Sequence, residues 1–173
     1  MKYMTLGYPL GNEPEKQGSG QILYIFELFS KKIWLPPSAV ITWMEVSCGM
    51  DLDKVVRSDD LALLREKKLL VEADDNLGLF KLILECRMIR QGIPMLNVSS
   101  SGEMNETAIF CSGRNTVLNR TKIQLWRYGD GKKTIREIFY EYINHRTVVI
   151  EQEYDIFMES IIELVRKGLI YLV

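Results

Sequence analysis

Histidine occurs once in the 173 residues and cysteine three times, at Cys48, Cys86 and Cys111, with no Cys-x-x-Cys pair. A zinc site needs several clustered His or Cys ligands, and a disulfide scaffold needs a denser cysteine framework. The expectation is therefore a chain with no metal and no cofactor, in a reduced, cytoplasmic setting. Net charge is nearly absent as well: Lys and Arg number 22, Asp and Glu 23, and the pI is near 5.9. That removes the global electrostatic case for nucleic acid or a membrane surface. No apolar run approaches the roughly 18–20 residues of a membrane span. The first residues, "MKYMTLGYPLGNEPEKQGSG", lack the apolar stretch of a secretory signal. No membrane partner is expected.

Catalytic apparatus is missing too. His145 stands alone in "INHRT", and Cys111 in "FCSG" has no His or Asn partner nearby in sequence. The chain reads as a non-enzyme. What it does have is ordinary globular composition, 47% hydrophobic and 26% charged, enough for one core or two small ones.

Punctuation divides the chain. Residues 1–20 end in a Gly-, Pro- and charge-rich stretch and read as a mobile N-terminal arm. "QILYIFEL" and "KIWL" read as strands. "PPSAVITWMEVSCG" reads as a helix capped by Ser38 and ended by Gly49. A short helix in "MDLDKVVR" and a third helix opened by Ser58 and Asp59 follow, running into a strand at "LLVE". "LFKLILECRMI", 79–89, reads as a strand, and 97–106 as a linker.

The second half repeats this order. "TAIFCSG" and "TVLN" form a hairpin, and Asn119 caps a helix bearing Ile123, Leu125 and Trp126. Asp130-Gly131 is a turn that ends it. Thr134 and Glu137 have capping-box spacing for the next helix. A long helix spans Glu151–Lys167, with Gly168 at its C-terminal turn and "LIYLV" closing as a strand. Leu35 lies eight residues before Trp43, and Leu118 eight before Trp126. The expected fold is α+β: two tandem units, each a hairpin or small sheet plus three helices, a degenerate one at 21–96 and a second at 107–173.

The second unit resembles the PqqD family and the related recognition elements of ribosomally made, modified peptides. The residues that carry the resemblance are Leu118-Asn119, Asp130-Gly131, Thr134, Glu137-Ile138, Asp155, Phe157, Leu164 and Gly168-Leu169. The first unit is only faintly similar. The resemblance implies a winged-helix-like fold that holds a leader or precursor peptide and presents it to a modifying enzyme. The peptide adds as a strand beside the last hairpin strand, against the third helix. Carried over, the edge is Asn115, Thr116, Val117 and Leu118. On the third helix, Phe157, Ile161, Leu164 and Gly168 are the core stripe. Tyr154, Met158, Ile162 and Val165 are the groove stripe, with core packing of both stripes as the plain alternative.

Charge is uneven. Between Ser112 and Arg136, seven basic residues (Arg114, Arg120, Lys122, Arg127, Lys132, Lys133, Arg136) face Asp130 alone. Arg114, Lys132, Lys133 and Arg136 are the expected basic rim for an acidic peptide or partner; solvated helix faces are the alternative. Two other classes stay open. One is a winged-helix DNA-binding regulator, against which the third helix counts five acidic residues to two basic. The other is a structural interaction protein that forms a homodimer surface.

Overall fold

The computed structural model describes residues 1–14, 22–95, 106–144 and 150–173. The fold is mixed α+β, and the chain divides into two units. Unit 1 comprises Met1–Cys86 with Leu172–Val173, and unit 2 comprises Arg87–Tyr171.

Unit 1 opens with strands where a mobile arm is expected. β1 (Lys2–Thr5) pairs antiparallel with β5 (Leu70–Ala73), Lys2 opposite Ala73 and Thr5 opposite Leu70. β2 (Tyr8–Pro14), β3 (Ile22–Leu28) and β4 (Lys31–Leu35) form a second sheet in that order. The arm reading is corrected because β2 finds a partner: its prolines and glycine sit on an edge strand, with a register shift between Pro9 and Gly11. The rest of the supposed arm, 15–21, lies outside the described residues, as does the linker except for Glu106.

α1 (Pro37–Ser47) buries Ala39, Val40, Trp43 and Val46, the three-to-four spacing of one helix face. Its N-cap is Pro36, not Ser38. Pro37 carries the φ of a first helical turn and starts the helix early, and the Ser38 hydroxyl donates to Asp60 at 3.0 Å instead. After a 3-10 turn at Leu52–Lys54, α2 (Ser58–Glu66) starts behind Arg57 without a side-chain cap, so the Ser58 and Asp59 caps are also corrected. The strand expected at 79–89 is split: its first five residues belong to α3 (Asn76–Ile83), and only 87–89 are strand. The Asp75 carboxylate accepts the Gly78 N–H at 2.7 Å, and Asn76, Leu79, Phe80 and Ile83 are buried at helical spacing.

Unit 2 begins at 87, twenty residues before the expected start. β6 (Arg87–Arg90) is the centre of a sheet ordered β10 (Asp130–Thr134), β6, β11 (Ile170–Leu172). β7 (Ile93–Met95), β8 (Glu106–Cys111) and β9 (Arg114–Asn119) form the other sheet. α4 (Arg120–Arg127), α5 (Ile135–Asn144) and α6 (Ile150–Arg166) complete the unit. The Asn119 side chain accepts the Lys122 N–H at 3.0 Å. Asp130-Gly131 belongs to a strand rather than a free turn, because β10 pairs with β6, Asp130 opposite Ile89. The Thr134–Glu137 capping box is closed in both directions: the Thr134 N–H donates to Glu137 at 2.7 Å, and the Glu137 N–H donates to the Thr134 hydroxyl at 3.3 Å. These bonds from Thr134 hold the Glu137 carboxyl below the ordinary carboxylate range.

The two units share more than element order. The Trp43 indole N–H donates to the Leu6 carbonyl at 2.9 Å; the Trp126 indole N–H donates to the Gln91 carbonyl at 2.9 Å. The Leu6 N–H reaches the Leu69 carbonyl at 2.9 Å, and the Gln91 N–H the Leu169 carbonyl at 2.8 Å. The Leu69 N–H returns to Leu64, and the Leu169 N–H to Leu164, both at 2.9 Å. In each unit one tryptophan and the turn after one helix clamp the same backbone corner, between the first strand and the second. Unit 1 has a 3-10 turn where unit 2 has β10 and α5.

An ion cluster ties α4 to α6. Lys122 and Lys167 both reach Glu163, the latter at 2.6 Å. Burial pushes the Glu163 carboxyl up, but the bonds from Lys122 and Lys167 outweigh it and the net shift is downward. A carboxyl with a depressed folded pKa contributes stability that is present above its unfolded value, about 4.3, and lost as pH falls through the folded value. Glu163→Gln is therefore expected to lower Tm at pH 7 by about 2–4 °C, given a partly buried ion pair worth about 1 kcal/mol. The gap between variant and parent should close in acid, once the carboxyl is protonated in the folded state as well. Calorimetry at neutral and acid pH checks it; a gap that persists in acid would mean that the carboxylate is not its source.

Candidate functional site

The β7–β8–β9 sheet has a buried face and a bare one. Ile109 and Leu118 point inward and are fully buried. In the register, Ile93 stands opposite Phe110 and Phe110 opposite Asn115; Met95 stands opposite Ala108 and Ala108 opposite Val117. Residues directly opposite share a face. Ile93, Met95, Phe110 and Val117 thus share the outer face, and all four are exposed, Ile93 at 66% and Val117 at 53%. A strand facing water on one side normally alternates apolar with polar; β8 places Ile109 and Phe110 side by side instead.

The two edges of this sheet differ. β7 carries Pro94, which has no N–H to offer another strand. β9 has no proline, keeps regular register with β8 from Arg114 to Asn119, and has β8 as its one sheet neighbour among the described residues. Asn115 and Val117 are exposed on it, Thr116 is half-buried and Leu118 is buried. Of the four expected edge residues, Asn115 and Val117 therefore lie at the surface, while Thr116 and Leu118 face the buried side and Leu118 anchors the strand to the core.

The groove stripe of α6 is corrected. Met158, Ile162 and Val165 are buried, as are the core-stripe residues Phe157, Ile161 and Leu164. Tyr154 is half-buried, its ring edge-on to Phe139 at 5.3 Å. Two stripes are covered because α6 packs against both α4 and α5, so the apolar surface beside β9 is the outer sheet face rather than the helix. Sequence reasoning missed Ile93 and Met95, which follow the breaker pair Gln91-Gly92, and it missed Phe110. The usable signal was the doubled apolar pair Ile109-Phe110 in a hairpin strand.

The rim also changes. Lys133 donates to both Glu141 oxygens at 2.6 and 2.7 Å, and this bond raises its pKa above the ordinary lysine value. Lys132 lies 3.8 Å from Asp130. Both are already turned to carboxylates within unit 2. Arg136 is exposed on α5, and Arg114 is exposed at the start of β9.

Cys86 is fully buried, and burial first, then Glu85, pushes its thiol up to about 12, leaving it protonated at neutral pH. Cys111 donates weakly to the Gly168 carbonyl at 3.8 Å. His145 lies outside the described residues. Among the described residues no group of three or more His, Cys, Asp or Glu is arranged to hold a metal ion, and no helix is long and apolar enough to cross a membrane. An open cavity of about 600 Å³ at the end of α1, lined by Met44, Cys48 and Met50 among others, holds the Lys54–Asp51 ion pair at 2.7 Å.

Compared with protein-family models, with curated proteins and with solved structures, the chain matches none.

Proposed function

We propose that the chain is a cytosolic, non-catalytic adaptor of two tandem winged-helix-like units. It binds an extended peptide, of the kind found in the leader of a ribosomally made precursor, and presents it to a modifying enzyme. The peptide adds to β9 as a fourth strand. The observation that carries this reading is the edge itself: β9 is regular, proline-free and unpaired on one side among the described residues, while the opposite edge is blocked at Pro94. An open edge offers a row of N–H and C=O groups to an incoming backbone. The exposed Val117, with Phe110 one strand further in, then supplies apolar contact for alternate peptide side chains. Strand addition needs no nucleophile, base or metal.

The test uses proline. Successive residues of β9 aim their N–H groups alternately at β8 and outward. Of Thr116→Pro and Val117→Pro, one therefore removes an outward donor and keeps the ladder. Immobilised protein is expected to retain specific peptides from native lysate. The variant that still folds, by circular dichroism and thermal melt, should lose about tenfold or more in affinity for those peptides. Unchanged peptide retention by that variant would remove the strand-addition mechanism. Recovery of a specific duplex DNA, released steeply by salt, would favour the regulator instead.

A further inference from the structure

Unit 1 repeats, at the same register, the features that make β9 an acceptor. Both hairpins close through two residues of left-handed backbone: Phe29 and Ser30 at φ 51° and 60°, Ser112 and Gly113 at φ 49° and 79°. Such two-residue turns pin the register of the strand that follows. Leu35 on β4 therefore corresponds to Leu118 on β9, and both are fully buried. Trp34 corresponds to Val117, and both are exposed, Trp34 at 45%. Lys31 corresponds to Arg114.

The edges are guarded in the same asymmetric way. β2 carries Pro9, Pro14 and a register shift, and β7 carries Pro94. β4 and β9 carry no proline and pair without a shift along Lys31–Leu35 and Arg114–Asn119. Charge adds the chemistry of the ligand. Lys54, Lys67, Lys122, Lys133 and Lys167 each lie against a carboxylate. Lys31, Lys32 and Arg114 are exposed and, among the described residues, form no ion pair. Cations on an edge strand repel basic strands and discourage indiscriminate pairing; an acidic strand is the complement they admit.

We infer that β4 is a second strand-addition site, and that both edges take one ligand class, an extended peptide bearing acidic side chains. The inference rests on the reading that β9 accepts a strand. A peptide fits the edge better than a nucleic acid does, because the edge alternates N–H donors with carbonyl acceptors, and phosphates offer nothing to the carbonyls.

Calorimetric titration of the full chain with an acetylated, amidated Glu-Val-Glu-Val-Glu-Val-Glu peptide tests it. The lysine counterpart and a twelve-nucleotide oligothymidylate are the controls. Two acidic peptides per chain are expected, with binding of the lysine peptide at least about tenfold weaker. Lys31→Glu with Lys32→Glu should weaken one site about tenfold and spare the other. Arg114→Glu should weaken that other site about threefold. A single site that answers only to Arg114→Glu would overturn the β4 site and leave β9 standing. No peptide bound at either edge would overturn both readings. Tighter binding of the oligothymidylate than of the acidic peptide would overturn the ligand class.

Discussion

Phe157→Ala is expected to destabilise unit 2 by about 3–5 kcal/mol, the range for emptying a large aromatic from a core. Phe157 is 0% exposed on α6, with its ring 5.0 Å from Phe139 and 5.4 Å from Tyr142, both on α5. These two contacts add interaction beyond area, and they hold the two helices in one geometry. A native domain has only about 5–15 kcal/mol of stability in all, so the variant should be largely unfolded well before the parent in urea. The neighbouring Ile156 provides the control: it is 46% exposed, and Ile156→Ala should stay within about 0.5 kcal/mol of the parent. Urea denaturation followed by far-ultraviolet circular dichroism measures both. A shift below about 1 kcal/mol for Phe157→Ala would mean that α5 and α6 are not packed through this ring.

Gly92→Ala should cost about 3–4 kcal/mol, and the corresponding Gly7→Ala about 1–2 kcal/mol. Both glycines have positive φ, 87° and 94°, where a side chain strains the backbone. The difference is in what a methyl group would meet. At Gly92 it would lie 2.7 Å from the Phe110 carbonyl oxygen and 2.7 Å from the Ile109 side chain. Backbone in β8 can retreat only by separating β8 from β7, and that disturbs the face bearing Ile93 and Phe110. At Gly7 the tight contact is the Leu69 side chain at 2.6 Å, with the nearest backbone atom at 3.6 Å, and a side chain can change rotamer. Paired urea curves of the two variants test the order. Equal costs would show that φ alone sets the penalty and that the backbone clash is relieved elsewhere.

Local signals were legible where the chemistry is local. The Asn119 cap, the Thr134–Glu137 box and the left-handed Gly168 at φ 64° each satisfy neighbours a few residues away, and the sequence spacing showed them. The strands that depend on distant partners were not legible. β2 has the composition of a loop and becomes a strand because β3 is there to pair with it. β10, Asp130–Thr134, has no apolar alternation and is held by β6, some forty residues earlier. The stretch from 79 reads as a strand by its apolar richness, but the Asp75 cap and the 3.6-residue burial period make its first part a helix. The candidate site was half visible. The β9 edge was expected from the resemblance, while the groove stripe of α6 did not survive, because periodicity finds apolar stripes without showing how many neighbours cover them.

The membership of Leu172 and Val173 in unit 1 has a temporal consequence. Leu172 is fully buried, and its carbonyl accepts the Gly7 N–H at 2.7 Å. Every residue of unit 2 is translated before these two, so unit 1, although first to leave the ribosome, is the last to be completed. A nascent chain stalled anywhere before Leu172 carries unit 1 with the Gly7 donor still waiting for its acceptor.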